Sequence, residues 1–171
     1  MNDTLAILFT FTTYGTWLRG DERGWIEDGR LMPPDPVLER DDRDRMKGEL
    51  FLFCKADLHC VGAAIGESLI ERKDALIYAL TVQTWHIHFV IASARHPVAD
   101  IAKCAKDAVR WRLRPERRIW TKHYDKRFCF DNATVRDRIA YVERHNERIG
   151  WPAKPWPFIK TFTPLEQDPE S

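Results

Sequence analysis

Two groupings of histidine and tyrosine have spacings that bring their side chains together. The first is His86-Ile87-His88. In a strand, residues two apart project from one face, so both imidazoles point one way while Ile87 and Phe89 point into the core. Two imidazoles at that separation share a divalent metal or grip one phosphate, although on an open sheet face they also serve as plain polar residues. The second grouping is Tyr141-Val-Glu-Arg-His145, where a spacing of four sets the phenol and the imidazole on one side of a helix, one turn apart. Val135, Ile139 and Val142 form the buried stripe of that helix. Tyr141 and His145 lie off the stripe, at a rim where such side chains commonly keep their polar ends in water.

The elements that must hold these groups are legible from periodicity. Leu5 to Thr13 alternates as a strand, with Leu5, Ile7, Phe9 and Phe11 on one face. A glycine-rich segment from Tyr14 to Trp25 follows, and then an acidic stretch from Glu27 to Arg45 with three prolines, expected as an ordered-to-loose surface excursion. Leu58, Val61, Ile65 and Leu69 predict a helix over about 56–72, in which Gly62 and Gly66 mark a weak point or a close approach to another backbone. Ala75–Val82 and His86–Ala92 read as neighbouring central strands joined by a tight turn near Gln83–Trp85. A second amphipathic helix fits Val98–Leu113 and stops before Pro115. Arg127–Asp131 follows as a short edge strand, and Asn132 is the expected N-cap of a helix from Ala133 to Glu147. The order β-α-β-β-α-β-α suits an α+β fold of the ferredoxin-like (RRM-like) kind, an antiparallel sheet with helices packed on one face. One domain is expected over residues 1–149, carrying an acidic, proline-containing insertion at about 21–48. An irregular Pro- and Trp-rich tail covers 150–171.

At 171 residues the chain is long enough for one sizeable core, and 44% hydrophobic with 31% charged residues excludes collagen-like and wholly disordered classes. No apolar run approaches a membrane span, which predicts a soluble, cytoplasmic protein. The four cysteines form no CxxC pair and read as free thiols. The net charge of +1 conceals an asymmetry: residues 21–50 carry ten acids against six bases, and residues 103–127 ten bases against three acids. Such a basic stripe presents a phosphate-binding face, or else is a solvated helix followed by a basic loop.

Taken together, the segments Phe9-Thr-Phe-Thr-Thr-Tyr-Gly-Thr-Trp-Leu-Arg-Gly-Asp-Glu-Arg-Gly-Trp25, Trp85-His-Ile-His-Phe-Val-Ile91, Arg118-Ile-Trp120 and Ile139-Ala-Tyr-Val-Glu-Arg-His-Asn146 resemble the REP-associated tyrosine transposases. These belong to the single-tyrosine HUH nucleases of the insertion-sequence transposase superfamily. The resemblance spans about residues 5–147. It implies that Tyr141 is the nucleophile and that His86 and His88 are the metal-binding pair. His145 stands where the family usually has Gln or Asn as a third ligand, with Asn146 a competing ligand one position along. Trp85 occupies a position where the family often has Asn.

The reaction so implied is cleavage of a phosphodiester by in-line attack of Tyr141, with Mg²⁺ or Mn²⁺ neutralising the non-bridging oxygens. It leaves a 5′-phosphotyrosine and a free 3′-hydroxyl, and a second 3′-hydroxyl can reverse it and join new ends. The implied substrate is single-stranded DNA beside a hairpin, and a homodimer is compatible with the family. Lys103, Lys106, Arg110, Arg112, Arg114, Arg117, Arg118 and Lys122 are candidate phosphate contacts. Trp120 and Tyr124 are candidate stacking residues among them. Trp111 is the first of these aromatics to be assigned to the core. Arg19 and Arg23 in the glycine-rich opening either touch DNA or hold a structural loop.

Tyr124 is the rival nucleophile, without a helical partner four residues on. Two other readings stand beside this one. A catalytically silent nucleic-acid-binding domain of the same fold is the first. A three-histidine zinc hydrolase with Glu143 as base is the second, disfavoured because Glu143 faces away from Tyr141 on a helix.

Overall fold

The computed structural model describes residues 3–164. Strand β1 (Ala6–Thr12) is followed by β2 (Trp25–Glu27), β3 (Arg30–Met32) and helix α1 (Pro36–Asp44). Then come α2 (Leu58–Lys73), β4 (Ile77–Val82), β5 (His86–Ala92), α3 (Val98–Leu113), β6 (Asp125–Cys129) and α4 (Asn132–Arg148). Without β2, β3 and α1 this is the expected β-α-β-β-α-β-α. Strands β4-β5-β1-β6 form one antiparallel sheet with the strand order of a ferredoxin-like fold. Among the described residues no helix is long and apolar enough to cross a membrane.

Alternation along the strands builds two cores. Phe9, Phe11, Leu80, Ile87, Phe89 and Ile91 face α2 and α3, where Val61, Ile65, Leu69, Ile101, Ala105 and Val109 meet them. On the reverse face Ala6, Leu8, Val90 and Cys129 pack against Val135 and Val142 of α4. The expected layer of helices on one face is therefore present in α2 and α3, and α4 is added across the other. That placement decides the site, because His86 and His88 project to the α4 side.

Three local expectations are corrected. The acidic segment is regular: Asp28 and Gly29, both with positive φ, turn the β2–β3 hairpin, the backbone requirement of a two-residue Asp-Gly loop. Asp35 then caps α1 by accepting from the Val37 and Leu38 amides at 3.1 Å, with Pro36 at the first helical position. The prolines there start a helix instead of preventing one. The cap of α4 is Asp131, whose carboxylate accepts from the Thr134 amide at 2.7 Å, and not Asn132. Strand β4 is an edge, not central; it is buried because α2 and α4 cover its faces and the Lys160 amide donates to Ile77 O at 2.8 Å.

That last bond belongs to the chain after α4, which is irregular as expected but is part of the core. Trp156 is 2% exposed and its Nε1 donates to His59 O at 3.0 Å. A Cβ on Gly62 or Gly66 would lie 2.0 Å from the rings of Trp156 and Phe158. These glycines admit aromatic side chains, where the spacing had suggested another backbone. Residues 165–171 of the expected tail lie outside the described residues.

Candidate active site

Register sets the geometry. Thr12 pairs with His86 and Thr10 with His88 across β1 and β5, so the two imidazoles follow one another on the α4 face. Their residues are only 7% and 6% exposed. Thr10 Oγ1 lies 2.8 Å from His88 Nδ1, which fixes that ring and leaves Nε2 toward the helix. There Tyr141 Oη lies 3.4 Å from His88 Nε2. His145, one turn further along α4, has its ring centre 5.3 Å from that of His86 and 5.0 Å from that of His88. The phenol and all three histidines meet within one chain.

One nitrogen from each of His86, His88 and His145 falls within 4.8 Å of the others. His86 Nδ1 and His145 Nε2 are buried without a hydrogen-bond partner. Leaving such atoms unpaired costs about 1–3 kcal/mol each. All three rings are held neutral. Burial, then repulsion from His145 and Arg23, pushes His86 down to about 3. Burial, then His86 and His145, holds His88 well below the usual histidine range. Burial and the Arg148 and Arg144 charges lower His145. Three neutral imidazoles whose nitrogens lie this close, two of them with a buried nitrogen that has no partner, suit a divalent cation, so these residues fit the implied metal.

Asn146, the competing ligand, faces elsewhere. Its side-chain amide donates to Leu80 O at 2.9 Å and to Ala153 O at 3.1 Å, tying α4 to β4 and to the chain that follows. Tyr124 packs its ring against Phe9 and Phe11, with centroids 6.1 and 5.9 Å away. It also borders the cavity that contains the histidines, but no contact joins its hydroxyl to them among the described residues. Glu143 does not line the cavity that contains them; burial raises its carboxyl, outweighing Lys154, and Glu147 adds to the rise.

The basic stripe is mostly elsewhere. Lys103 pairs with Asp107, and Arg110, Arg112 and Arg114 are exposed at α3, behind the sheet. Lys106 is structural: its Nζ donates to Thr121 O and His123 O and lies over the Phe11 ring, where burial lowers it. Arg117 lies over Phe51 and donates to Leu50 O, while Arg118 lies over Tyr14 and donates to Trp120 O. Trp120 packs among Phe11 and Phe53, and Lys122 is exposed in the loop before β6. Trp111, assigned to the core from sequence, is 71% exposed. It falls on the outer side of α3, whose inner stripe is already filled by Ile101, Ala105 and Val109. Arg19 forks onto Asp42 at 2.6 and 2.8 Å, and Arg23 onto Asp21 at 2.6 and 2.7 Å, with its guanidinium 4.5 Å over the Trp85 ring. The structural reading of both arginines therefore accounts for their contacts, although Arg19 also borders the cavity.

That cavity, of about 670 Å³, contains His86, His88, Tyr141 and His145 under an apolar wall of Trp17, Trp25 and Trp85. It also contains Arg127, the last base of the 103–127 stripe, and Arg138, which lies outside that stripe. Arg138 was findable, because it stands three residues before Tyr141 on the same helical face.

The chain matches no protein-family model and no curated protein sequence. Among solved structures it is similar to a REP-associated tyrosine transposase bound to a REP hairpin. The match has 13% identity, covers 92% of this chain and 78% of that chain, and has a TM-score of 0.52. At that identity the likeness is one of fold, and it is to the family that the sequence segments resemble.

Proposed function

We propose that this protein is a transposase-type nuclease that cleaves and rejoins single-stranded DNA beside a hairpin through a 5′-phosphotyrosine. The observation that carries the reading is the meeting of Tyr141 with His88 at 3.4 Å, in a cavity where His86 and His145 complete a three-nitrogen set. A strand with unpaired bases fits a cavity that is polar and cationic on its floor and tryptophan-rich on one wall. The structural neighbour, by its description, is bound to a REP hairpin.

His86, His88 and His145 would hold the cation, and an all-imidazole donor set ranks Mn²⁺ above Mg²⁺, which prefers oxygen ligands. When bound it supplies neutralising charge for the non-bridging phosphate oxygens. Tyr141 is held by α4 with its hydroxyl facing the cavity and is 37% exposed, open to a phosphate on that side. Its oxygen forms the new bond to phosphorus as the bond to the 3′-oxygen breaks. The phenolic proton is lost and a proton is gained by the departing 3′-hydroxyl, so the step needs no external energy source. Thr10 keeps the His88 ring in one orientation throughout. The linked phosphotyrosine retains the energy of the phosphodiester, so an incoming 3′-hydroxyl runs the step backwards onto a new end.

Incubation of the protein with a labelled single strand bearing a hairpin, in Mn²⁺, is expected to leave a denaturant-resistant adduct on the 5′ end of the cut. Tyr141→Phe abolishes the adduct, chelation abolishes cutting, and Tyr124→Phe retains both. An adduct that survives Tyr141→Phe refutes the assignment. Binding with no adduct in any metal favours the silent nucleic-acid-binding domain.

A further inference from the structure

We propose that Arg127 and Arg138 form a second phosphate subsite, which holds the backbone phosphate adjoining the one that Tyr141 attacks. The nature of the anion rests on the nuclease reading above, while the subsite rests on placement. Arg138, Tyr141 and His145 stand at i, i+3 and i+7 of α4 and so share one helical face, the first two about 4.5 Å apart along the axis. On the sheet beneath, Arg127 of β6 pairs with Leu8, two residues along β1 from Thr10, the partner of His88. That is a step of roughly 6–7 Å.

Helix and sheet run their order in the same sense. Moving from His86 with His145, past His88 with Tyr141, the floor of the cavity arrives at Arg127 with Arg138. Both guanidinium-bearing residues line the same cavity as the nucleophile. They stand beyond it on the side away from His86. The step from nucleophile to arginines is comparable to the spacing of successive phosphates on an extended strand.

The charges there are at most weakly anchored. Arg138 is half-buried and makes no ion pair among the described residues. A partly desolvated cation facing a cavity is stabilised when an anion enters. Arg127 pairs with Asp125, two residues earlier on its own strand, at 3.1 Å with both side chains more than half exposed. A pair of that kind is worth about 0–1 kcal/mol and yields to a phosphate. Among the described residues Asp125 is the single carboxylate lining the cavity, against Arg19, Arg127 and Arg138. Two guanidinium forks suit a phosphate better than a carboxylate, because together they satisfy more of its oxygens.

Binding of a labelled oligothymidylate tests this in a Tyr141→Phe background, where no cutting intervenes. Affinity is followed by fluorescence anisotropy from about 50 to 200 mM salt, where each phosphate contact to a single strand adds about 0.7 to the log–log slope. Arg127→Gln with Arg138→Gln is expected to flatten the slope by about 0.7, the contribution of the one phosphate the pair holds. Arg72→Gln on α2, behind the sheet, leaves it unchanged. The exposed Arg127→Gln alone flattens it by part of that amount and weakens binding, so the test survives a double variant that folds poorly. A slope equal to the parent's in the arginine variants, or an equal loss in Arg72→Gln, overturns the subsite. Adduct formation is read separately with Tyr141 restored, so failure of the nuclease reading leaves a changed slope standing and is told apart from it.

Discussion

Positions 145 and 146 are adjacent but face apart, and substituting each in turn tests the proposed ligand role of His145 against the tethering role of Asn146. Asn146→Ala removes two hydrogen bonds, to the buried Leu80 O and the part-buried Ala153 O. At about 1 kcal/mol for each lost bond, with some further cost for stranded acceptors, the expected loss is about 2–3 kcal/mol. Relief of the unpartnered Asn146 Oδ1 offsets a small part of it. For a domain of this length that corresponds to a fall in Tm of roughly 4–10 °C. His145→Ala deletes a half-buried ring whose Nε2 has no partner, and is expected to change stability by less than about 1 kcal/mol. Its effect is on the cation: losing a ligand weakens Mn²⁺ by more than about 100-fold, since even outer-shell losses cost 10–100-fold. Urea unfolding in chelator and calorimetric Mn²⁺ titration of the folded variants measure the two effects independently. Were Asn146→Ala to keep its stability within about 0.5 kcal/mol, or to weaken Mn²⁺ as much as His145→Ala, the assignment of the two residues would be refuted.

Two further outcomes follow from packing and charge. Gly62→Ala gains about 1 kcal/mol of helix propensity but drives a methyl to 2.0 Å from the Trp156 ring. A net loss of about 1–3 kcal/mol is expected in urea unfolding, and a stabilised variant would mean that Trp156 does not sit there. The second concerns acid. His86 and His88 are depressed in the folded protein, so the unfolded chain binds more protons below the ordinary histidine range. Their contribution is fully present above about pH 6.5 and is lost as pH falls toward about 3, the value to which His86 is pushed. In chelator the loss by pH 5 is about 2 kcal/mol for His86, His88 acts in the same direction, and His86→Ala is expected to make the slope shallower. A urea midpoint that stays flat from about pH 7 to 5 would contradict the burial of these rings.

Much of the site was legible before any coordinates, because the relevant patterns are local. Alternation around Ile87 places His86 and His88 on one strand face, and the spacing of four brings Tyr141 and His145 to one side of a helix whatever the rest of the chain does. The limits of α3 follow from its apolar stripe and Pro115, and the order of elements implies the sheet. The hairpin at Asp28-Gly29 and the cap at Asp35 are equally local signals, obscured by reading the proline-containing stretch only as a surface excursion. Charge counting misled for the opposite reason: ten bases close together in sequence do not share a side of the sheet.

The amino-acid order by itself determined which groups each element presents, since backbone stereochemistry repeats every two residues in a strand and every 3.6 in a helix. Only the tertiary structure decided what each presented face meets. Placing α4 across the sheet surface opposite α2 and α3 brought Tyr141 to His88 and Arg138 into the cavity that also contains Arg127. The same placement left Trp111 and most of the α3 cations behind the sheet and turned Asn146 toward β4. Those meetings depend on strand order and on burying two apolar faces of one sheet at once, which no window of neighbouring residues contains.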